Sequence, residues 1–141
     1  MEPYARELRK AVDADPDALF RVAREVVAGT PSFGPERYSD EELHQLLNGF
    51  RTLLAEAMED GGSDTYGFFL ETAVPSLVAD GQTSESLVHA AAAFGALLSM
   101  HLIQAVAPER QEDARSWLAR FFGRYVADVA AAARRAEDER G

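Results

Sequence analysis

Cysteine is absent from this chain of 141 residues. Its absence excludes a disulfide framework, a thiol nucleophile and a cysteine metal site. Basic charge is also scarce, because 14 Lys and Arg stand against 24 Asp and Glu and give a formal net charge of −10. Nucleic acids and anionic membranes both attract Lys and Arg, so we expect neither as a partner.

Two further patterns are missing. No stretch alternates apolar and polar residues as a half-buried strand does, and the N-terminal "MEPYARELRKAVDADPD" has no apolar segment of a secretory signal. We therefore expect an all-α protein in the cytoplasm. The hydrophobic content of 47% is ordinary for a soluble protein, and the length fits a single domain over residues 1–141.

Helical periodicity runs through every long segment and predicts about six helices. Asp15 is the predicted N-cap of the second helix. Ser39 and Glu42 have the spacing of a capping box at the start of the third. Thr83, or the serine after it, is the expected cap of the fifth helix. The last helix is expected from about residue 109 to about residue 137.

The stretch Leu87–Ala107 contains no Asp, Glu, Lys or Arg and is long enough to cross a membrane. His89, Ser99, His101 and Gln104 are polar, and neither end carries a Trp or Tyr belt. We therefore expect the central helix of a soluble bundle, with neighbours on every side. Its run of alanines and the glycine that follows predict a close approach of the flanking helices.

No set of residues predicts catalysis, so a non-enzymatic protein is expected. There is no Gly-rich phosphate loop and no nucleophile elbow. Glu41 and His44 form a single Glu-x-x-His, whereas a di-metal bundle needs two such motifs with further Glu residues. His89 and His101 lie about 120° apart around their helix at about 100° per residue and cannot share one metal ion from it. No metal site is predicted.

Aromatic residues are concentrated on the last helix at Trp117, Phe121, Phe122 and Tyr125. One interpretation places all four rings in the core. The other places part of this broad face against a second copy of the chain, because large apolar patches mark interfaces. We predict a homodimer interface at these residues.

The segments "LLNGFRTLLAEAMEDGG" and "FFLETAVPSLVADGQTSESLVHAAAAFGALLSMHL", followed by an aromatic last helix, resemble the N-terminal domain of stressosome RsbR proteins. The resemblance covers about residues 39–135. It implies a globin-like helical bundle with long penultimate and last helices in the core. It also implies a non-haem, dimeric sensor or scaffold domain of bacterial signalling. The partner is then a separate signalling protein or an output domain of the STAS class, which RsbR-type proteins carry C-terminally.

The resemblance to globins also raises the question of haem. Ordinary globins hold iron through a proximal His before the penultimate long helix, and residues 59–86 contain none. We therefore expect no cofactor. The alternative is a haem- or small-ligand-binding sensor with a non-standard axial residue, for which His44, His89 and Tyr66 are the candidates.

Overall fold

The computed structural model describes residues 2–30, 37–60 and 64–140. Its six α-helices are α1 (Pro3–Ala14), α2 (Ala18–Ala28), α3 (Asp40–Asp60), α4 (Asp64–Ala79), α5 (Ser84–Ile103) and α6 (Gln111–Arg140). Pro108–Arg110 forms a short 3-10 turn before α6. No strand occurs in the described ranges, so the predicted all-α class with six helices is confirmed.

The ends of α3 and α5 follow the predicted capping signals. The Glu42 amide donates to Ser39 Oγ at 3.1 Å, and the Ser39 amide donates to Glu42 Oε1 at 3.2 Å. Thr83 and Ser86 exchange the same pair of bonds at the start of α5, each at 3.0 Å. Each of these capping boxes satisfies two backbone groups near its helix N-terminus.

Two helix ends differ from the sequence prediction. The N-cap position of α2 is Asp17 rather than the predicted Asp15, whose carboxylate accepts from Arg21 Nη2 at 2.5 Å and also from the Asp17 amide. The last helix continues beyond residue 137 to Arg140, where the guanidinium donates to the Val78 carbonyl on α4. This bond joins the C-terminal ends of α4 and α6.

A Schellman motif ends α4 and turns the chain toward α5. The Gln82 amide donates to the Leu77 carbonyl at 3.0 Å, and the Gly81 amide donates to the Val78 carbonyl at 2.9 Å. Gly81 has φ +104°, a conformation that strains residues with a Cβ.

The core lies between α5 and α6, which pack along each other, with α4 against α6 and α2 against α5. Helix α3 packs on α4, and α1 packs on α3. In α4 the largest fully buried side chain is Val78. The other five helices contribute fully buried leucines: Leu8, Leu19, Leu53, Leu54, Leu98, Leu102 and Leu118.

The composition of α5 predicted neighbours on every side of the helix, and this prediction is wrong. Leu87, Leu98 and Leu102 are buried, but Ala96 and Met100 are exposed, Met100 to 65%. The alanine-rich composition is compatible with a half-covered helix because small apolar side chains expose little surface. In the described ranges α5 is the one helix long and apolar enough to cross a membrane, a test that soluble core helices also pass.

Candidate functional site

An apolar cavity of about 110 Å³ lies where α2, α3, α4, α5 and α6 meet. The lining residues are Ala23, Val26, Val27, Leu43, Leu46, Leu47, Phe50, Phe69, Ala73, Val74, Leu77, Leu87, Ala90, Ala91, Phe94, Tyr125 and Val129. Protein interiors are close-packed and contain few voids larger than a water molecule. Apolar cavities between the helices of a bundle are also common positions for ligand sites. This cavity is therefore the candidate functional site.

Small side chains on three helices leave the space open. Ala23 on α2, Ala73 on α4, and Ala90 and Ala91 on α5 all line the cavity. Helix α4 also contains Pro75 in this part of the wall, where it removes one backbone hydrogen bond of the helix.

The cavity approaches the surface between α3 and α4. Leu46, Ala73 and Leu77 are half-buried, and these side chains also line a surface groove that includes Tyr38 and Asp80. Groove and cavity thus share these three residues and the buried Leu43 as a common wall. A ligand that enters from this side has to displace the side chains of Leu46 and Leu77.

Another part of the cavity lining is a cluster of aromatic rings around Phe50. Its ring centroid lies 5.2 Å from that of Phe94 and 5.3 Å from that of Tyr125, both edge to face. Phe69 lies 6.1 Å away in a similar arrangement. Edge-to-face pairs add about 0.5–1.5 kcal/mol each beyond the area they bury. This wall is therefore held more firmly than the leucine-lined mouth.

Tyr125 carries the one polar side-chain atom among the cavity-lining residues. The side chain is 8% exposed, and burial raises the pKa of its hydroxyl well above the ordinary value, so the phenol stays neutral.

Tyr66, a candidate axial residue, lies outside the cavity lining. Its hydroxyl donates to Asp128 Oδ2 at 2.7 Å, and the Arg124 guanidinium lies 4.8 Å from the centre of its ring. Burial, followed by the bond to Asp128, raises the pKa of this phenol far above its usual range. Tyr66 therefore connects α4 to α6 as a neutral hydrogen-bond donor.

The histidine candidates lie on two different helices, neither of which carries Tyr66. His44 is exposed on α3 and stacks on Phe20 of α2, with ring centroids 4.0 Å apart. His89 is exposed on α5. Neither side chain lines the cavity. The described ranges contain no group of three or more His, Asp and Glu residues arranged to hold a metal ion.

The predicted dimer residues divide into two pairs. Phe122 and Tyr125 are buried in the core of this one chain. Trp117 and Phe121 are half-buried and stack on each other, with centroids 5.2 Å apart. The prediction of a dimer interface therefore depends on Trp117 and Phe121.

A polar groove of about 480 Å³ lies on the surface between α1 and α3. Its charges pair with one another. Arg9 binds the carboxylates of Asp13 and Glu59, and Arg51 Nη2 lies 3.4 Å from Asp13 Oδ1. The groove thus joins two helices through ion pairs, which favours a structural role.

Comparison with protein-family models, curated proteins and solved structures gives no significant match. The globin-like arrangement and the relation to RsbR proteins therefore stay predictions. The function has to be argued from the site.

The cavity was not predicted from the sequence. The alanine run of α5 predicted close helix packing, whereas Ala90 and Ala91 line the open space of the cavity. A usable signal was the coincidence of alanines on the apolar faces of α2, α4 and α5. That signal becomes specific only once the pairing of the helices is known.

Proposed function

We propose that this chain is a non-enzymatic sensor domain of bacterial signalling that responds to a small apolar molecule bound in the cavity. The observation that carries the proposal is the cavity itself, lined by hydrocarbon side chains from five helices. An apolar cavity of about 150 Å³ in another protein stays dry and binds benzene or xenon. The cavity here, of about 110 Å³, is comparable in volume and differs in opening toward the surface between α3 and α4.

The signal leaves the cavity through α4 and α6. Leu77 lines the cavity. The carbonyl of the next residue, Val78, accepts a hydrogen bond from the guanidinium of Arg140 at the end of α6. If α4 can adopt two placements in the bundle, a ligand that binds the protein more tightly in one of them shifts the population of molecules toward that placement. The C-terminal end of α6 then carries this shift to an output domain or a separate signalling protein.

The test is a titration of the protein with xenon and with benzene. Binding is detected through changes in the backbone amide chemical shifts. We expect shifts at Ala73, Ala90 and Ala91 for both probes. At about 100 times its Kd, benzene should also raise the free energy of unfolding by about 2.7 kcal/mol.

A cavity-filling variant and a matched control localise the binding. Ala91→Leu places a larger side chain inside the cavity, so benzene affinity should fall by about tenfold or more. Ala92→Leu adds the same side chain on the exposed face of the same helix and should leave the affinity unchanged. Equal affinities in the two variants would place the benzene elsewhere and contradict the proposal.

Ala91 is buried, so its substitution carries a risk of overpacking. Ala73→Leu fills the cavity from its half-buried side, where the new side chain has room to adjust. We expect it to fold, as measured by circular dichroism, and to lose benzene binding. A folded Ala73→Leu variant that binds benzene as well as the original chain argues against the cavity as the site.

Scaffolding as a homodimer is the second candidate function. The half-buried Trp117 and Phe121 support it, since aromatic residues are enriched at protein interfaces. We expect light scattering to give twice the mass of 15.4 kDa, and the double substitution of both residues by Ala to give the monomer mass. A monomer at high concentration in the unsubstituted chain contradicts this candidate and leaves the ligand proposal standing.

A further inference from the structure

We propose that the cavity and the surface groove between α3 and α4 form one binding site for a cationic amphiphile, with its alkyl tail in the cavity and its ammonium head in the groove. This inference rests on the proposed function and adds the chemical class of the ligand. The class is a short alkyl amine in its protonated form, for which hexylammonium is the probe.

The first step is that the cavity and the groove are contiguous. Leu43, Leu46, Ala73 and Leu77 line both spaces. Because each of these residues contacts both spaces, no more than one side chain separates them at these positions. Leu46, Ala73 and Leu77 are also half-buried, so this boundary reaches the surface. A ligand with its tail in the cavity therefore has its head in the groove.

The two spaces differ in polarity. The cavity is lined by hydrocarbon side chains and one neutral phenol, whereas the groove, of about 300 Å³, adds Tyr38, Glu42, Gln45, Ser76 and Asp80. All five except Tyr38 are exposed. An apolar tail gains free energy by leaving water, and a charged head loses free energy unless it stays hydrated or paired. A molecule with one apolar end and one polar end therefore fits the combined site better than benzene does.

The groove also determines the sign of the charge on the head. Glu42 and Asp80 are acidic, and none of the described lining residues is basic. The guanidinium of Arg37 donates to the backbone carbonyl of Asp80 at 2.7 Å, but Arg37 does not line the groove. An ammonium head is therefore attracted and a carboxylate head is repelled.

The two carboxylates act on one common group, the buried hydroxyl of Tyr38. Burial raises the pKa of this phenol, and the charges of Asp80 and Glu42 raise it further, against the hydrogen bond from Gln82 and the charge of Arg37. Tyr38 accepts that bond from Gln82 Nε2 at 3.2 Å. Both acidic residues thus lie around the same end of the groove.

The experiment titrates the protein near neutral pH with hexylammonium, 1-hexanol and hexanoate, which share one tail and differ in the head. We expect affinity to fall in that order, by about tenfold or more between the first and the last. Hexylammonium should shift the backbone amides of Ala90 and Ala91 in the cavity and of Gln45 and Ser76 in the groove. Benzene should shift only the amides of the cavity.

A pair of double variants separates the groove from the net charge of the chain. Glu42→Gln with Asp80→Asn removes both carboxylates of the groove, and glutamine still serves in the capping box. Glu41→Gln with Glu71→Gln removes the same charge from exposed positions outside the lining. The preference for hexylammonium over hexanol should disappear in the first variant and persist in the second.

The possible failures are distinguishable. If benzene shifts the cavity amides but hexylammonium binds no more tightly than hexanoate, or shifts neither Gln45 nor Ser76, this inference is wrong and the proposed function stands. An equal loss of preference in both double variants also overturns the inference, because it reduces the effect to the net charge. If neither benzene nor xenon shifts the cavity amides, the proposed function fails and this inference fails with it. Should circular dichroism show the groove variant unfolded, the amides of Gln45 and Ser76 in the intact chain decide.

Discussion

Gly95 on α5 lies directly against the ring of Phe122 on α6. A Cβ at position 95 would stand 2.8 Å from Cγ and Cδ1 of that ring, closer than real Cβ contacts. Phe122 is itself buried, so the ring has little room to move away. The absence of a side chain at position 95 therefore sets the distance between α5 and α6 at this point.

We predict that Gly95→Ala destabilises the protein. Overpacking costs about 1–3 kcal/mol, and the gain in helix propensity of about 1 kcal/mol offsets only part of that cost. Gly123→Ala is the matched control on α6, because a Cβ there meets nothing within 4 Å. It should raise the free energy of unfolding by about 0.5–1 kcal/mol. Denaturant unfolding measures both, and a stabilised Gly95→Ala variant would contradict the packing described.

The N-terminus of α5 gives a second prediction. Thr83 Oγ1 accepts from the Ser86 amide at 3.0 Å, so Thr83→Ala should lower the free energy of unfolding by about 1 kcal/mol. Ser84→Ala is the control, since Ser84 lies one residue further on and does not serve as the cap. A loss of stability in Ser84→Ala equal to that in Thr83→Ala would move the cap to Ser84.

The two capping boxes show what the sequence can predict. Ser39 with Glu42, and Thr83 before α5, are local patterns that depend on three or four consecutive residues, and both capping boxes are present. The predicted close approach at the α5 glycine is also confirmed, because Gly95 contacts Phe122. Local sequence sufficed for the two capping boxes, because each depends on a bond between residues three positions apart.

The cavity and the exposed stripe of α5 depend on pairing between helices. Ala91 and Ala92 are identical neighbours, yet Ala91 lines the cavity and Ala92 is exposed. Their difference arises from the rotation of α5 against α2 and α6, and a nearly uniform apolar composition carries no signal of that rotation. A helix with a marked apolar stripe would have revealed its buried side.

The third prediction concerns pH. Glu7 on α1 accepts from Arg110 Nε at 3.1 Å and from the Ala107 amide at 3.0 Å. The hydrogen bond from Arg110, then that from Ala107, lowers the pKa of Glu7 below its ordinary value of 4.5. A carboxyl whose pKa is lower in the folded state stabilises that state above its ordinary pKa. This contribution is lost as the pH falls through the lowered folded value.

Glu7→Gln should therefore lower the Tm near neutral pH, and the difference from the unsubstituted chain should shrink as the pH falls from about 5 to about 2.5. Thermal unfolding monitored by circular dichroism at several pH values measures this. Glu71→Gln, on the exposed face of α4, is the control and should change the Tm little at any pH. A difference for Glu7→Gln that stays constant with pH would show that the carboxylate is not the stabilising form.

The last prediction concerns haem. The candidate axial residues lie on three different helices: His44 on α3 stacks on Phe20, His89 is exposed on α5, and the buried Tyr66 on α4 donates to Asp128. None of them lines the cavity, and a porphyrin is much larger than a cavity of about 110 Å³. We therefore expect no sharp Soret band when haemin is added to the purified chain. A sharp band at equimolar haemin, lost in His44→Ala or His89→Ala but retained in His101→Ala, would show that the helices open around a porphyrin. It would replace the apolar-ligand proposal with a haem sensor.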